Sequence, residues 1–178
     1  MKCVCRWGAA FLLTVATLRS SAAWMTPLSI EELRTNADVI VHGTVKSKAC
    51  EQSPDGRIFT RVKLDFSEVW KGAINTNTFS IVHGGGTFGG ITTMASIQVE
   101  FAAGEEIVAF LRLNDRGEGV VIGMVQGKFQ VWRDKASGEK FVRNTFHGVA
   151  EAEAGKPEGK AAKLALRELA TRAKGPKP

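Results

Sequence analysis

The chain has 178 residues, 44% of them hydrophobic and 24% charged, a composition that fits a globular protein and excludes a disordered one. Its formal charge of +6 is carried at the two ends: Lys2, Arg6 and Arg19 stand without an acid in the first 23 residues, and Gly155 to Pro178 holds a net +5. Trp24 to Ala154 is left at −2, so no nucleic-acid partner is expected, because that surface needs basic residues gathered on the folded body.

Met1 to Trp7 is short and basic, Gly8 to Leu18 is an apolar run of 11 residues, and Ser21-Ala22-Ala23 supplies the small residues that a signal peptidase accepts. The run is too short to cross a bilayer as a helix, which takes about 20 residues. Residues 1–23 therefore read as a cleaved signal peptide, and the mature protein is expected to be exported, periplasmic or extracellular, with no stable membrane insertion. Cys3 and Cys5 leave with the signal. Cys50 remains alone and cannot close an intrachain disulfide. An interchain disulfide is the one pairing left to it, and a tolerated free thiol is the simpler expectation.

Ser29 and Glu32 form a capping box that opens a short helix ending near Asn36. Strand patterns follow. In Val39 to Val45, Val39, Val41, Gly43 and Val45 share one face, opposite Ile40, His42, Thr44 and Lys46. Ser53-Pro54-Asp55-Gly56 is a turn by composition. Ile58, Thr60, Val62, Leu64 and Phe66 then alternate with Phe59, Arg61, Lys63, Asp65 and Ser67, the period of a half-buried strand. That strand breaks at Lys71-Gly72.

Further strands are predicted at Thr78 to His83, more weakly at Ile91 to Val99, then at Ile107 to Leu113, Val120 to Val125, Lys128 to Trp132 and about Phe141 to Thr145. Short strands at this spacing imply a mainly β fold, a small closed or half-closed barrel spanning residues 24–154. Residues 155–178 form a basic, Ala/Leu-rich tail with helical propensity from Pro157 on. Its stripe of Ala162, Leu166, Leu169 and Ala173 suits a helix docked on the barrel. Two leucines are a thin face for a membrane-surface helix.

The segment from His83 to Gly90 (His83, Gly84, Gly85, Gly86, Phe88, Gly89 and Gly90 around Thr87) is the most distinctive local feature. His83-Gly84-Gly85-Gly86 resembles the oxyanion segment of lipases, yet no serine lies in a Gly-x-Ser-x-Gly elbow. Gly89-Gly90-Ile91-Thr92 lacks the Gly-Lys-Ser/Thr end of a phosphate loop. Glycines here fit a bend or a close backbone approach, and Phe88, alone among them, is the best single contact residue. His42, His83 and His147 are scattered, with no metal-ligand spacing. Glu105 and Glu106 point to opposite faces of a strand and make no paired-carboxylate site. Trp24, Trp70 and Trp132 with Phe59, Phe79, Phe88 and Phe129 read as core or as an aromatic face. No catalytic residue, metal or cofactor is expected.

Three groups of residues carry a resemblance. They are Ala37 to Val45; Arg61 to Phe66 with Glu68-Val69-Trp70-Lys71-Gly72; and Gly85-Gly86-Thr87-Phe88-Gly89-Gly90, Gly104 to Leu111 and Gln126-Gly127-Lys128-Phe129. Together they resemble a recurring family of exported bacterial small β-barrel proteins, from about Leu28 to Trp132, a likeness that implies a fold and a compartment rather than an activity. The Ala-Asp-Val strand before an aromatic-Lys-Gly strand end is also similar to netrin-type modules such as tissue inhibitors of metalloproteinases. That likeness implies an oligosaccharide/oligonucleotide-binding-type (OB) barrel. It does not extend to zinc clamping, since those inhibitors use an N-terminal Cys and Trp24 stands at the expected mature end. The leading expectation is an exported, non-enzymatic barrel that binds a protein or peptide, with modulation of a secreted protease as a narrower version. A small-ligand binder or small enzyme with a site in the barrel mouth, and a structural envelope module, are the alternatives.

Overall fold

A computed structural model describes residues 25–76, 78–94, 98–148 and 163–175. The expected signal, Trp24 and the first part of the tail lie outside these residues. The capping box forms: the Glu32 N–H donates to Ser29 Oγ at 3.2 Å and the Ser29 N–H to the Glu32 carboxylate at 2.8 Å. It opens α1 (Ile30–Asn36), whose Ile30 and Leu33 are fully buried.

β1 (Val39–Gln52) and β2 (Ile58–Lys71) make a long antiparallel hairpin around the predicted Ser53–Gly56 turn. β2 pairs with β3 (Phe79–Gly84), and after β3 comes a separate small hairpin of β4 (Gly86–Phe88) and β5 (Ile91–Thr93). β6 (Glu106–Leu113) pairs with β1 and with β7 (Gly119–Val121), and β7 meets β3 in parallel. The fold is mainly β, with β1, β2, β3, β7 and β6 hydrogen-bonded in a ring. The sheet forks at β6, which also carries β8 (Lys128–Arg133), then β9 (Lys140–Arg143) and β10 (Leu164–Ala165), the last running into α2 (Leu166–Lys174).

Strand alternation builds two cores from the same strands. Val39, Val41, Val62, Leu64, Ile81, Ile107, Ala109 and Leu111 fill the ring. Ile40, Val108 and Phe110 point the other way and join Phe129, Val142, Ile30, Leu33 and Leu169 beneath the helices. On β2 the predicted inner residues Ile58, Thr60, Val62 and Leu64 are buried and Phe66 is half-buried. The register with β1 then slips at His42/Gly43, and Ser67 has no Cα partner. This bulge turns the end of β2, so Trp70 joins the helix-side core and Val69 packs on the ring interior.

Three predicted elements are shorter than expected. The strand from Val120 ends at Val121, because the chain turns through Met124 at φ 62° and the Gly127 N–H returns to the Ile122 carbonyl at 2.9 Å. β5 stops at Thr93, since its partner β4 is only three residues long. In the tail, Leu164 and Ala165 pair with Val142 and Phe141 before the helix begins. Of the predicted stripe, Leu169 and Ala173 are buried, Leu166 packs at the edge of the core, and Ala162 lies outside the described residues.

Candidate functional site

The structure turns the predicted glycine loop into a hairpin with a long root. His83 and Gly84 end β3, Gly85 makes the turn, Gly86 and Phe88 begin and end β4, and Gly89-Gly90 is the tip. The tip glycines have φ of 57° and 80°, both left-handed, as a two-residue type I′ turn requires. Phe88 is not alone, as the sequence suggested: it sits across from Ile91, and Thr87 across from Thr92. Phe88, Ile91 and Met94 are exposed, the last at 84%.

The root is held against the β1–β2 hairpin. Thr60, buried, donates its hydroxyl to the Gly85 carbonyl at 2.8 Å. Gly86 has φ 131°, and a Cβ there would stand 2.5 Å from Cys50 Sγ and 2.7 Å from Thr60 Oγ1. The Cys50 thiol is thus half-buried beneath β4. Thr60 Oγ1 lies 3.4 Å from Cys50 Sγ with its proton committed to Gly85, and the Thr87 N–H lowers the thiol's pKa. The Gly85 N–H is spent on the Ile58 carbonyl at 3.0 Å, so one amide of the lipase-like His83–Gly86 run belongs to the sheet. His83 stacks on Phe101 with ring centres 6.0 Å apart, and its Nδ1 lies 3.2 Å from Gln98 Nε2.

Beside this root the ring is joined least. β3 and β7 share one bridge, Ile81 with Gly119, whereas β1 and β6 share six pairs. Two grooves flank the seam and share Val82, His83, Gly84 and Val120. One, of about 300 Å³, runs over Ile58 and Phe59 to Arg57 and Arg116. The other, of about 210 Å³, reaches Val99, Val121 and Met124. A third, of about 370 Å³, continues from Gln98 and Val99 to Glu105, Lys128, Gln130 and Arg143. They form an open, segmented cleft, each part at or below the lower end of small-molecule cavities.

The sequence held a signal for this region that residue-type motifs missed. No Lys, Arg, Asp or Glu occurs from Gly72 to Val99, nor from Gly119 to Gly127. These two uncharged runs face each other across the seam. At the cleft's ends most charges are internally matched: Arg57 Nε meets Asp55 at 2.6 Å, Arg116 Nε meets Glu118 at 3.0 Å, and Lys128 meets Glu105 at 2.7 Å, while Arg143 bonds Gln130. Glu118 also takes Arg61, and its carboxyl is held down at about 2: burial pushes it up, but hydrogen bonds from Asn114, Arg61 and Arg116 prevail.

A second polar cluster, on the helix side, was also unforeseen. His42 is 7% exposed; its Nε2 lies 2.7 Å from Glu106 and its Nδ1 3.7 Å from Glu68. Lys140 binds Glu106 at 2.6 Å, and Lys174 of α2 binds Glu68 at 3.3 Å. The Glu106 carboxyl is raised by burial but lowered on balance by Lys140 and His42, and Glu68 is lowered first by the Trp70 N–H. Ser67 Oγ lies 3.5 Å from His42 Nδ1 and 3.2 Å from the His42 carbonyl, its closer acceptor. The bulge brings Ser67 to His42, but the hydroxyl binds backbone and Lys140 already matches Glu106. The cluster reads as a clasp joining β1, β2, β6, β9 and α2.

The predicted aromatic residues do not form one face. Phe79 and Phe129 are core, Trp70 is buried next to His42, Phe59 lies under Arg61, and Trp132 stacks on Phe141. Glu105 and Glu106 take separate partners, Lys128 and Lys140. His147 stacks on Phe129 and its Nε2 lies 2.9 Å from the Leu28 carbonyl. Among the described residues no group of three or more His, Cys, Asp or Glu side chains is placed to hold a metal ion, and no helix is long and apolar enough to cross a membrane. No protein-family model matches the chain, and no curated protein is significantly similar to it.

Proposed function

We propose that this protein is an exported, non-enzymatic β module that binds a protein or peptide through the β4–β5 hairpin and the adjoining strand edges. In this reading the ring is a half-closed barrel of the OB, netrin-like type, and modulation of a secreted protease is one narrower form of its activity. A single observation carries it: the uncharged seam beside the hairpin root exposes Val120 and Met124 over one groove, and the hairpin itself exposes Phe88, Ile91 and Met94. Clustered exposed apolar side chains mark interaction surfaces, whereas scattered ones do not.

The test is capture from the source organism's own extracellular and periplasmic extract, using residues 24–178 as bait. A Phe88→Ala bait runs beside it. Phe88 is 42% exposed, so the change should shift the melting temperature by no more than about 2 °C. The reading expects a protein retained in stoichiometric amount by the parent bait and at least about tenfold less by Phe88→Ala, since aromatic anchors dominate interfaces. Equal retention on both columns, or none on either, overturns it.

A further inference from the structure

We infer that the β3–β7 seam is a strand-addition site, where an extended, uncharged apolar segment of a partner pairs with the free edge of β3 beyond Ile81. This rests on the binding reading above and names the kind of partner segment and where it lies.

The backbone supplies the first reason. The Gly85 N–H to Ile58 carbonyl bond fixes the phase of the β2–β3 ladder. In an antiparallel pair, residues alternate between bonding the neighbour strand and facing away from it. His83 and Ile81 therefore bond toward β2, while Val82 and Gly84 turn their N–H and C=O groups toward β7. With Ile81 turned to β2, the parallel bridge at Ile81 and Gly119 takes the Val82 N–H, and the Gly84 carbonyl lies 3.1 Å from His83 Nδ1, so the Val82 carbonyl and the Gly84 N–H are the open groups of that edge. Among the described residues no strand pairs with Val82–Gly84 on that side. Such an edge is a template for another strand, and strand addition takes affinity from main-chain bonds and selectivity from side-chain pockets.

The grooves supply the second. An added strand sends alternate side chains to opposite faces, and the seam has a groove for each. One set would meet Phe59, Val82 and Val120 outside the ring; the other would meet Val99, Val121 and Met124 toward its interior. Val120 and Met124 are 41% and 57% exposed, and Met124 is held at φ 62°. Left-handed backbone at a non-glycine residue is strained and gathers at functional sites.

Charge supplies the third. The groove across the seam is lined by no charged side chain; Arg57, Arg116 and Lys128 at the cleft's ends are matched by Asp55, Glu118 and Glu105, and Arg143, bonded to Gln130, lies beyond the seam in the third groove. A charged segment would lose hydration in the seam and gain no counter-charge. An uncharged one loses little, which selects the occupant.

The experiment pans a random dodecapeptide display library on residues 24–178. Enriched peptides should share an uncharged run with apolar residues at alternate positions. A synthesised one should bind Val120→Lys at least about tenfold more weakly, yet bind Arg167→Ala, an exposed position on α2, within about twofold. Its binding should also slow amide exchange of Gly84, the reading of a new backbone bond. Val120 is part-exposed, so the lysine variant keeps the fold, as its circular dichroism would verify. Enriched peptides that bind Val120→Lys normally overturn the seam assignment and leave the binding reading standing. A library yielding no enriched peptide overturns both.

Discussion

The two sides of β6 solve the same problem in opposite ways. Toward the helices, Val108 and Phe110 are sealed under α1 and α2, and every strand there has a neighbour or a helix over it. Toward the seam, Leu111 and Val121 belong to a core whose wall is joined by one backbone bridge and whose outer groove is open. The helix side is also cross-linked by charge: Arg172 of α2 binds Glu31 of α1 at 2.8 Å, Lys174 reaches Glu68, and Lys140 reaches Glu106. On the seam side, charge stops at the rim. The difference separates a region built for stability from one left unfinished where binding is proposed.

The largest effect should come from breaking the sealed side. Leu169 is fully buried between the helices and the sheet, so Leu169→Ala leaves a cavity and should cost about 2–4 kcal/mol in urea unfolding. A loss below about 1 kcal/mol would mean that α2 contributes little to the fold. The hairpin and seam should be untouched in this variant, since no contact of Leu169 reaches them.

Glu118 braces the seam from its rim, tying the approach to β7 back to Arg61 on β2. Because its carboxyl titrates at about 2 in the folded chain against 4.5 ordinarily, its contribution is complete above pH 4.5 and is lost as pH falls toward 2. Glu118→Gln should lower stability at pH 7 by roughly 1–2 kcal/mol, the scale of a charged hydrogen bond, and flatten the decline of stability between pH 4.5 and 2. Parent and variant declining alike over that range would show that the acid limb comes from elsewhere, for example from Glu31, which Arg172 holds at about 2.

The sealed side was largely legible in the sequence and the seam was not. The Ser29–Glu32 box, the alternation of Ile58 to Leu64 and the apolar Ile107 to Leu111 each encode structure locally, through spacing. His42 looked like an ordinary strand residue because its partners, Glu68, Glu106 and Lys140 behind Glu106, come from three other strands. Which strand neighbours which is a long-range fact that spacing does not carry. Likewise Val120 and Val82 are both plain strand valines, and only the topology shows that β3 and β7 diverge between them. The glycine run stands out in the sequence, but its shape does not. Positive φ at Gly89 and Gly90 makes a hairpin tip, and Ile91 returns to pair with Phe88.

The smallest effect on stability should come at the hairpin root, and it sharpens the contrast most. Gly86 stands where a Cβ would strike Cys50 Sγ and Thr60 Oγ1, at a φ that side chains rarely adopt. In a sealed core such a clash would propagate. Here, among the described residues, β4 pairs with β5 alone, and the root is tied to the body by the Gly85 contacts to Thr60 and Ile58. Gly86→Ala should therefore lift the hairpin locally, costing about 1 kcal/mol or less globally. The reading is chemical: Cys50, half-buried beneath β4, should react with a neutral alkylating agent several-fold faster once β4 moves away. Losing the Thr87 N–H also raises the thiol pKa, which alone would slow the reaction, so a faster rate measures uncovering rather than activation. Global unfolding in step with the faster rate would mean that the hairpin is welded into the ring, and the two sides of β6 would then differ less than their hydrogen bonding implies.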